Sequence, residues 1–267
     1  MKYKMLALDL DETLLNEESQ ISMRNREAVK KALNKGLQVT IATGRMFRSA
    51  KKFALELGVE LPLIIYHGAV IRRSDNGKIM RYCPLPWQLS LEIIQLAEEQ
   101  DCHLNCYMDD RLFVKEENEH TRFYQQIVSV PVETVGDLGE FVSRNKKEPI
   151  KLSVVEKGKD LGPLEKMLKE KYTSNLTVLQ SRPSFLEITS SEATKGQAIH
   201  FLADKKGIDR EEIAAIGDSY NDIDMLQYAG LGVAMANAPQ EVSAFADFVT
   251  LSNREDGVAH FIEEYLL

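Results

Sequence analysis

Lys4-Met5-Leu6-Ala7-Leu8-Asp9-Leu10-Asp11-Glu12-Thr13-Leu14 is the stretch on which the fold turns. An apolar run that stops abruptly in acids reads as a buried strand whose end reaches a site. Side chains two apart on a strand point the same way, so Asp9 and Asp11 can share that site. A calcium loop of the EF-hand type is excluded: Leu14 stands where the loop needs glycine, Gln20 where it needs glutamate, and a strand precedes it instead of a helix. Working outward, Ser22 caps a predicted helix that runs to about Lys35 and ends at Gly36. Leu37 to Ala42 reads as a second buried strand. Thr43-Gly44 opens a helix that stops at Gly58, and Leu63 to Tyr66 is a third strand. This β-α-β-α-β spacing is the pattern of a doubly wound parallel sheet.

The rhythm then breaks. Ala69 to Arg73 and Lys78 to Tyr82 flank Ser74-Asp75-Asn76-Gly77, a hairpin signal. Short strands and helices of mixed order follow to about Thr189. They include predicted strands at Ile150 to Val155 and Phe185 to Thr189. After Thr194 the α/β alternation returns, with strands at Ile213 to Ile216, Leu231 to Ala234 and Phe248 to Leu251. The expected architecture is α/β, a Rossmann-like parallel-sheet core of residues 1–82 and 190–267. An α+β domain of residues 83–189 is inserted between its halves.

Composition narrows the function. The chain has 267 residues, 44% of them hydrophobic, and a formal net charge of −8. Such a chain can bury a large core and is not disordered in composition. It lacks the basic face that nucleic-acid binding requires. No apolar run approaches the ~18 residues that span a bilayer. The N-terminal stretch turns acidic before a signal-peptide core could form. A cytoplasmic protein is the default expectation, and a monomer is favoured over an oligomer because no exposed apolar stripe stands out. Cys83, Cys102 and Cys106 are too few for a disulfide framework and lack a second zinc-like pair, so they read as reduced thiols.

Four segments fall where core strands should end, and open α/β sheets bind ligands at the carboxyl ends of their strands. Asp9 to Leu14 is the first. Thr43-Gly44-Arg45 is the second, a hydroxyl and a small residue at a predicted helix start, suited to an anion. The third is Thr194-Lys195-Gly196. A lysine at a helix start opposes the dipole unless it pairs with an anion. The fourth is Gly217-Asp218-Ser219-Tyr220-Asn221-Asp222, whose two carboxylates and amide make a hard-oxygen site of the sort magnesium uses. Each segment has a plain structural reading, as a polar strand end, a helix cap, a surface lysine or an Asx turn. Their joint occurrence is what carries weight.

Together they resemble the four motifs of the haloacid dehalogenase-like phosphatases, in that family's order. The insertion point, the size of the inserted domain and the pieces Phe185-Leu186-Glu187-Ile188 and Thr194-Lys195-Gly196-Gln197-Ala198 are similar to subclass IIB, the Cof-type sugar phosphatases. The resemblance covers essentially the whole chain. It implies a magnesium-dependent phosphatase acting on small phosphomonoesters such as sugar phosphates or related metabolites. Asp9 is implied as the nucleophile that forms an aspartyl-phosphate, and Asp11 as general acid and base. Asp9, Asp11, Asp218 and Asp222 are implied at Mg²⁺. Leu10, Thr43, Gly44, Lys195 and Asn221 are implied at the phosphoryl group. The inserted domain is implied to be a cap that sets specificity. Arg45, His67 and Glu187 are weaker candidates for substrate or cap contacts. Two positions depart from the family: Glu12 replaces the usual glycine, with little effect expected, and His67 stands where asparagine is common, a substrate contact or simply a filled turn. A charge count adds a physical expectation. Four carboxylates against Lys195 leave −3, so a phosphate dianion should bind well only when Mg²⁺ neutralises the cluster and Asp11 is protonated.

Competing readings are a phosphomutase of the same superfamily and a non-catalytic phospho-ligand binder. A signalling receiver would place its lysine on a last strand, whereas Lys195 precedes Asp218. No GxxxxGK[ST] and no GxGxxG after a strand is present, which removes the usual nucleotide-binding signatures.

Overall fold

The computed structural model describes residues 2–128 and 130–267. Two compact units divide the chain at Tyr82/Cys83 and at Ala193/Thr194.

The first unit begins β1 (Met5–Leu8), α1 (Met23–Asn34), β2 (Gln38–Ile41), α2 (Phe47–Leu57), β3 (Leu63–Ile65), β4 (Val70–Arg72) and β5 (Ile79–Tyr82). All four β1 residues are fully buried. Alternation therefore gives way to a continuous apolar run, as it does in parallel sheets covered on both faces. Ser22 caps α1 by accepting from the Asn25 N–H at 3.0 Å, a bond worth about 1 kcal/mol.

The inserted unit follows, with α3 (Trp87–Glu99), β6 (Leu104–Met108), β7 (Arg111–Val114), α4 (Glu119–Ile127), β8 (Val132–Thr134), α5 (Leu138–Asn145), β9 (Lys151–Val155), α6 (Gly162–Lys171), β10 (Leu176–Arg182) and β11 (Phe185–Ser190). Its six-stranded sheet runs β10-β11-β9-β6-β7-β8. It is antiparallel except for the β7–β8 pair. Leu104, Cys106, Leu152, Val154, Leu186 and Ile188 gather with Ile93, Ile94, Val142, Leu164 and Leu168 of α3, α5 and α6 into one apolar core. Asn105, Tyr107, Lys151, Ser153 and Glu187 occupy the alternate positions of the same strands. All three cysteines are free.

The chain then completes the first unit with α7 (Lys195–Lys206), β12 (Ile213–Gly217), α8 (Ile223–Tyr228), β13 (Leu231–Ala234), α9 (Gln240–Ser243), β14 (Phe248–Val249) and α10 (Gly257–Phe261). The five-stranded parallel sheet has the order β14-β13-β12-β1-β2. From β1 the chain moves outward to β2 on one side, and β12 lies on the other. That makes the end of β1 a switch point where a crevice opens. Met5 and Ala7 pack with Ala198, Ile199 and Leu202 of α7 and Met225 of α8.

Two local expectations are corrected. The segment Leu63 to Tyr66 does not extend the parallel sheet as a full strand. It pairs antiparallel with β4, because the chain returns at once through the hairpin, and touches the parallel sheet through a single bridge, Ala42 to Ile64. The helix expected from Thr43 starts at Phe47 instead. Met46 is still extended, with φ −67° and ψ 156°, so Thr43-Gly44-Arg45 forms a loop at the sheet end.

Candidate active site

Strand register assembles the site. Leu8 pairs with Ile216 on one side and with Ile41 on the other. The Asp9 N–H donates to the Ile216 carbonyl at 3.0 Å, and the Ala42 N–H donates to the Leu8 carbonyl at 2.8 Å. Asp9, Asp218 and Thr43 therefore leave three neighbouring strands at the same edge.

Lys195, the first residue of α7, is fully buried. Its ammonium donates to Asp9 Oδ1 at 2.6 Å and to Asp222 Oδ1 at 2.5 Å. The other Asp222 oxygen accepts from the Asp218 N–H at 3.1 Å and the Ser219 N–H at 3.0 Å. Asp222 thus shapes the loop after β12. Thr13 donates through its hydroxyl to Asp218 Oδ1 at 2.5 Å. Reading from the sequence missed Thr13, although it lies two positions beyond Asp11 in the same acidic segment.

Three carboxylates against one lysine leave the cluster short of positive charge. Burial pushes Asp9 up to about 7, with Asp222 and Asp11 adding to the rise and Lys195 opposing it. Burial likewise pushes Asp218 up to about 9, helped by Asp9 and Asp222. Burial works against the Lys195 cation, but Asp222 and Asp9 more than compensate and hold it protonated. Asp9, Asp218 and Asp222 each present an oxygen, all within 4.8 Å of one another. Hard oxygen donors, close spacing and a charge deficit fit a divalent cation such as Mg²⁺.

Asp11 is not in that cluster. Arg45 grips it with two bonds, Nε to Oδ2 at 2.8 Å and Nη2 to Oδ1 at 2.5 Å. Thr43 accepts from the Arg45 N–H at 3.2 Å, which closes the loop before α2. Leu10 is buried. It lies inside an irregular turn closed by a bond from the Leu15 N–H to its own carbonyl at 2.9 Å. In that turn Glu12 has φ 59°, a left-handed conformation in which glycine is at ease and glutamate is strained.

His67 lies beside Asn221, whose amide Nδ2 is 3.0 Å from His67 Nδ1. Glu187, by contrast, lies in the inserted unit and takes an ion pair from Lys151 at 2.8 Å. Asp224 is a further residue that the sequence reading did not select. Its carboxylate accepts from the Gly196 N–H at 2.7 Å, next to Lys195 at the start of α7. Burial raises its pKa.

No helix of the described residues is long and apolar enough to cross a membrane.

Comparison with known proteins gives the arrangement its context. The family model for haloacid dehalogenase-like hydrolases matches residues 6–262. The 5-amino-6-(5-phospho-D-ribitylamino)uracil phosphatase YwtE of Bacillus subtilis is 34% identical over 98% of this chain and 98% of its own. A crystal structure of TM0651 from Thermotoga maritima superposes with a TM-score of 0.85 at 32% identity, covering 98% of this chain and 97% of that one. The subclass IIB sugar phosphatase BT4131 superposes with a TM-score of 0.85 at 25% identity, covering 98% of each chain. The chain belongs to the haloacid dehalogenase-like hydrolases and is a phosphatase of that family's subclass IIB.

Proposed function

We propose that the protein is a Mg²⁺-dependent phosphatase that hydrolyses small phosphomonoesters, sugar phosphates or related metabolites, through an aspartyl-phosphate on Asp9. The observation that carries this reading is the triad of Asp9, Lys195 and Asp222 with Asp218 alongside, buried at the switch point of the parallel sheet. The named activities of relatives support the substrate class, since one removes phosphate from a ribityl chain and another is a sugar phosphatase.

In this reading one Asp9 oxygen attacks phosphorus and the ester bond to the leaving oxygen breaks. Lys195 holds that carboxylate in place and stabilises charge on the phosphoryl oxygens, as do Thr43, the Gly44 N–H, the Leu10 backbone and Asn221. Asp11 gives a proton to the leaving oxygen, then takes one from the water that splits the aspartyl-phosphate. The Arg45 guanidinium engages both Asp11 oxygens. One of them must be released before Asp11 can meet a leaving group. Asp9, Asp218 and the Asp11 backbone would hold Mg²⁺, with Asp222 in support. When bound, that ion neutralises the carboxylates and draws charge from the phosphoryl oxygens. The inserted unit is assigned the choice of leaving group, while the first unit performs the chemistry.

The test is phosphate release from p-nitrophenyl phosphate and a panel of sugar and ribityl phosphates, with Mg²⁺, with EDTA, and with Asp9→Asn. Release that needs Mg²⁺ and vanishes in Asp9→Asn is the expected result. Release that survives both would overturn the reading. Isomerisation without release, on adding a bisphosphate activator, would favour a phosphomutase, and binding without turnover a non-catalytic module.

A further inference from the structure

His67 is buried, yet it sits in a strained place. Tyr66, His67 and Gly68 have φ of 51°, 58° and 101° in succession. Left-handed backbone is strained for a non-glycine residue, and it persists where the surroundings impose it. The surroundings here are the phosphoryl-site segments themselves. The Tyr66 N–H donates to the Arg45 carbonyl at 3.1 Å, and the His67 N–H to the Thr43 carbonyl at 3.1 Å. A Cβ on Gly44 would stand 2.2 Å from His67 Cε1, so the ring lies directly against the Gly44 backbone. A Cβ on Gly68 would stand 2.1 Å from the carbonyl oxygen of Thr194, the residue before Lys195. This turn joins the loops that carry Thr43, Lys195 and Asn221.

The Asn221 amide shows what the ring does there. As oriented, Nδ2 donates to His67 Nδ1 at 3.0 Å. The amide oxygen is then buried without a hydrogen-bond partner. A buried orphan acceptor is unfavourable, and an oxygen is the wrong atom to offer an anion. Turning the amide over puts a donor in the orphan position, which an anion can satisfy and an oxygen there could not. With the imidazole proton on Nδ1, His67 donates to the amide oxygen, and the orphan position becomes an N–H. We propose that His67 is a positioning residue that holds the Asn221 amide with its nitrogen free to donate to an anionic phosphoryl oxygen. The inference rests on the reading of Asn221 as a phosphoryl ligand.

The experiment compares His67→Ala, His67→Asn and His67→Gln, each also combined with Asn221→Ala. It measures kcat and KM for p-nitrophenyl phosphate, calorimetric binding of inorganic phosphate, and Tm. An Asn side chain places its amide where Nδ1 stands and tolerates a left-handed φ, whereas Gln reaches the Nε2 position. His67→Ala should weaken phosphate binding and lower kcat/KM by about tenfold, the worth of one hydrogen bond to a charged network. His67→Asn should recover most of that loss and His67→Gln should not. With Asn221→Ala in place, His67→Ala should cost less than about twofold more. The proposal is overturned if His67→Ala binds phosphate like the wild type, if its full loss persists without the Asn221 side chain, or if Gln rescues as well as Asn. The Asn and Gln variants carry the comparison if the Ala variant does not fold. Asp9→Asn in the same assay separates the two claims. An active wild type with an inactive Asp9→Asn upholds the phosphatase reading whichever way His67 falls, and phosphate calorimetry tests His67 without turnover.

Discussion

Two buried lysines keep different company. Lys195 meets Asp9 and Asp222, with Asp218 close by, so that group carries a net charge of −2 when ionised. Lys151 meets Glu187 at 2.8 Å and lies 4.7 Å from the centre of the Tyr107 ring, and that ion pair sums to zero. A buried pair of opposite charges calls for no further ion. A buried cluster left with a deficit is built to receive something positive. The difference in charge balance marks out the Lys195 group without any appeal to motif, and four experiments can break or sharpen it.

The largest effect belongs to Asp9. Asp9→Asn keeps the shape of the side chain and removes the nucleophile, so phosphate release should fall on the order of 10³-fold or more. A variant with near-normal kcat would end the covalent account. Next come the lysines, measured side by side. Lys195→Met should lower kcat on the order of 10²- to 10³-fold, because it strips a preorganised charge from the reacting group. Lys151→Met should instead remove the buried cation beside Glu187 and cost about 3–5 kcal/mol of stability, read from urea unfolding, with kcat of the folded protein little changed. Lys151→Met combined with Glu187→Leu should regain most of that stability. Equal kinetic losses at both lysines would erase the distinction.

Cation binding is the third. Mg²⁺ at a hundredfold excess over its Kd should stabilise the wild type by about 2.7 kcal/mol and raise Tm. Asp218→Asn should abolish that rise. An identical shift in both proteins would place the cation elsewhere. The smallest effect concerns Glu12, held at φ 59°. Glu12→Gly should leave Tm unchanged or slightly higher, while the β-branched Glu12→Val should cost about 1–2 kcal/mol. A stabilising valine would mean that the turn relaxes freely.

Much of this was legible in the chain itself. The apolar run before Asp9 and the returning α/β rhythm after Thr194 led to the parallel-sheet architecture, because periodicity and breakers act locally. What stayed hidden depends on contacts distant in sequence. Nothing local says that α2 begins at Phe47, since Thr43 and Gly44 make as good a helix start on paper as the loop they form. The β8 strand Val132–Thr134 is only three residues long and gives no alternation to read. His67 read as a substrate contact or a filled turn, and not as a partner of Asn221, because a left-handed run of three residues with a single glycine leaves almost no signature. Its partners Thr43, Gly44 and Asn221 lie on two other loops. Thr13 and Asp224 were missed for the same reason: the bond from Thr13 to Asp218 exists only once β1 pairs with β12, and that from the Gly196 N–H to Asp224 only once α7 packs on α8.

The most direct test of the central claim is a rapid-quench reaction with a radiolabelled phosphoryl donor, followed by peptide mapping. The account predicts transient label on the peptide that contains Asp9, present with Mg²⁺ and absent in Asp9→Asn. Rapid phosphate release with no label on the protein at any time, and with Asp9→Asn still active, would contradict it.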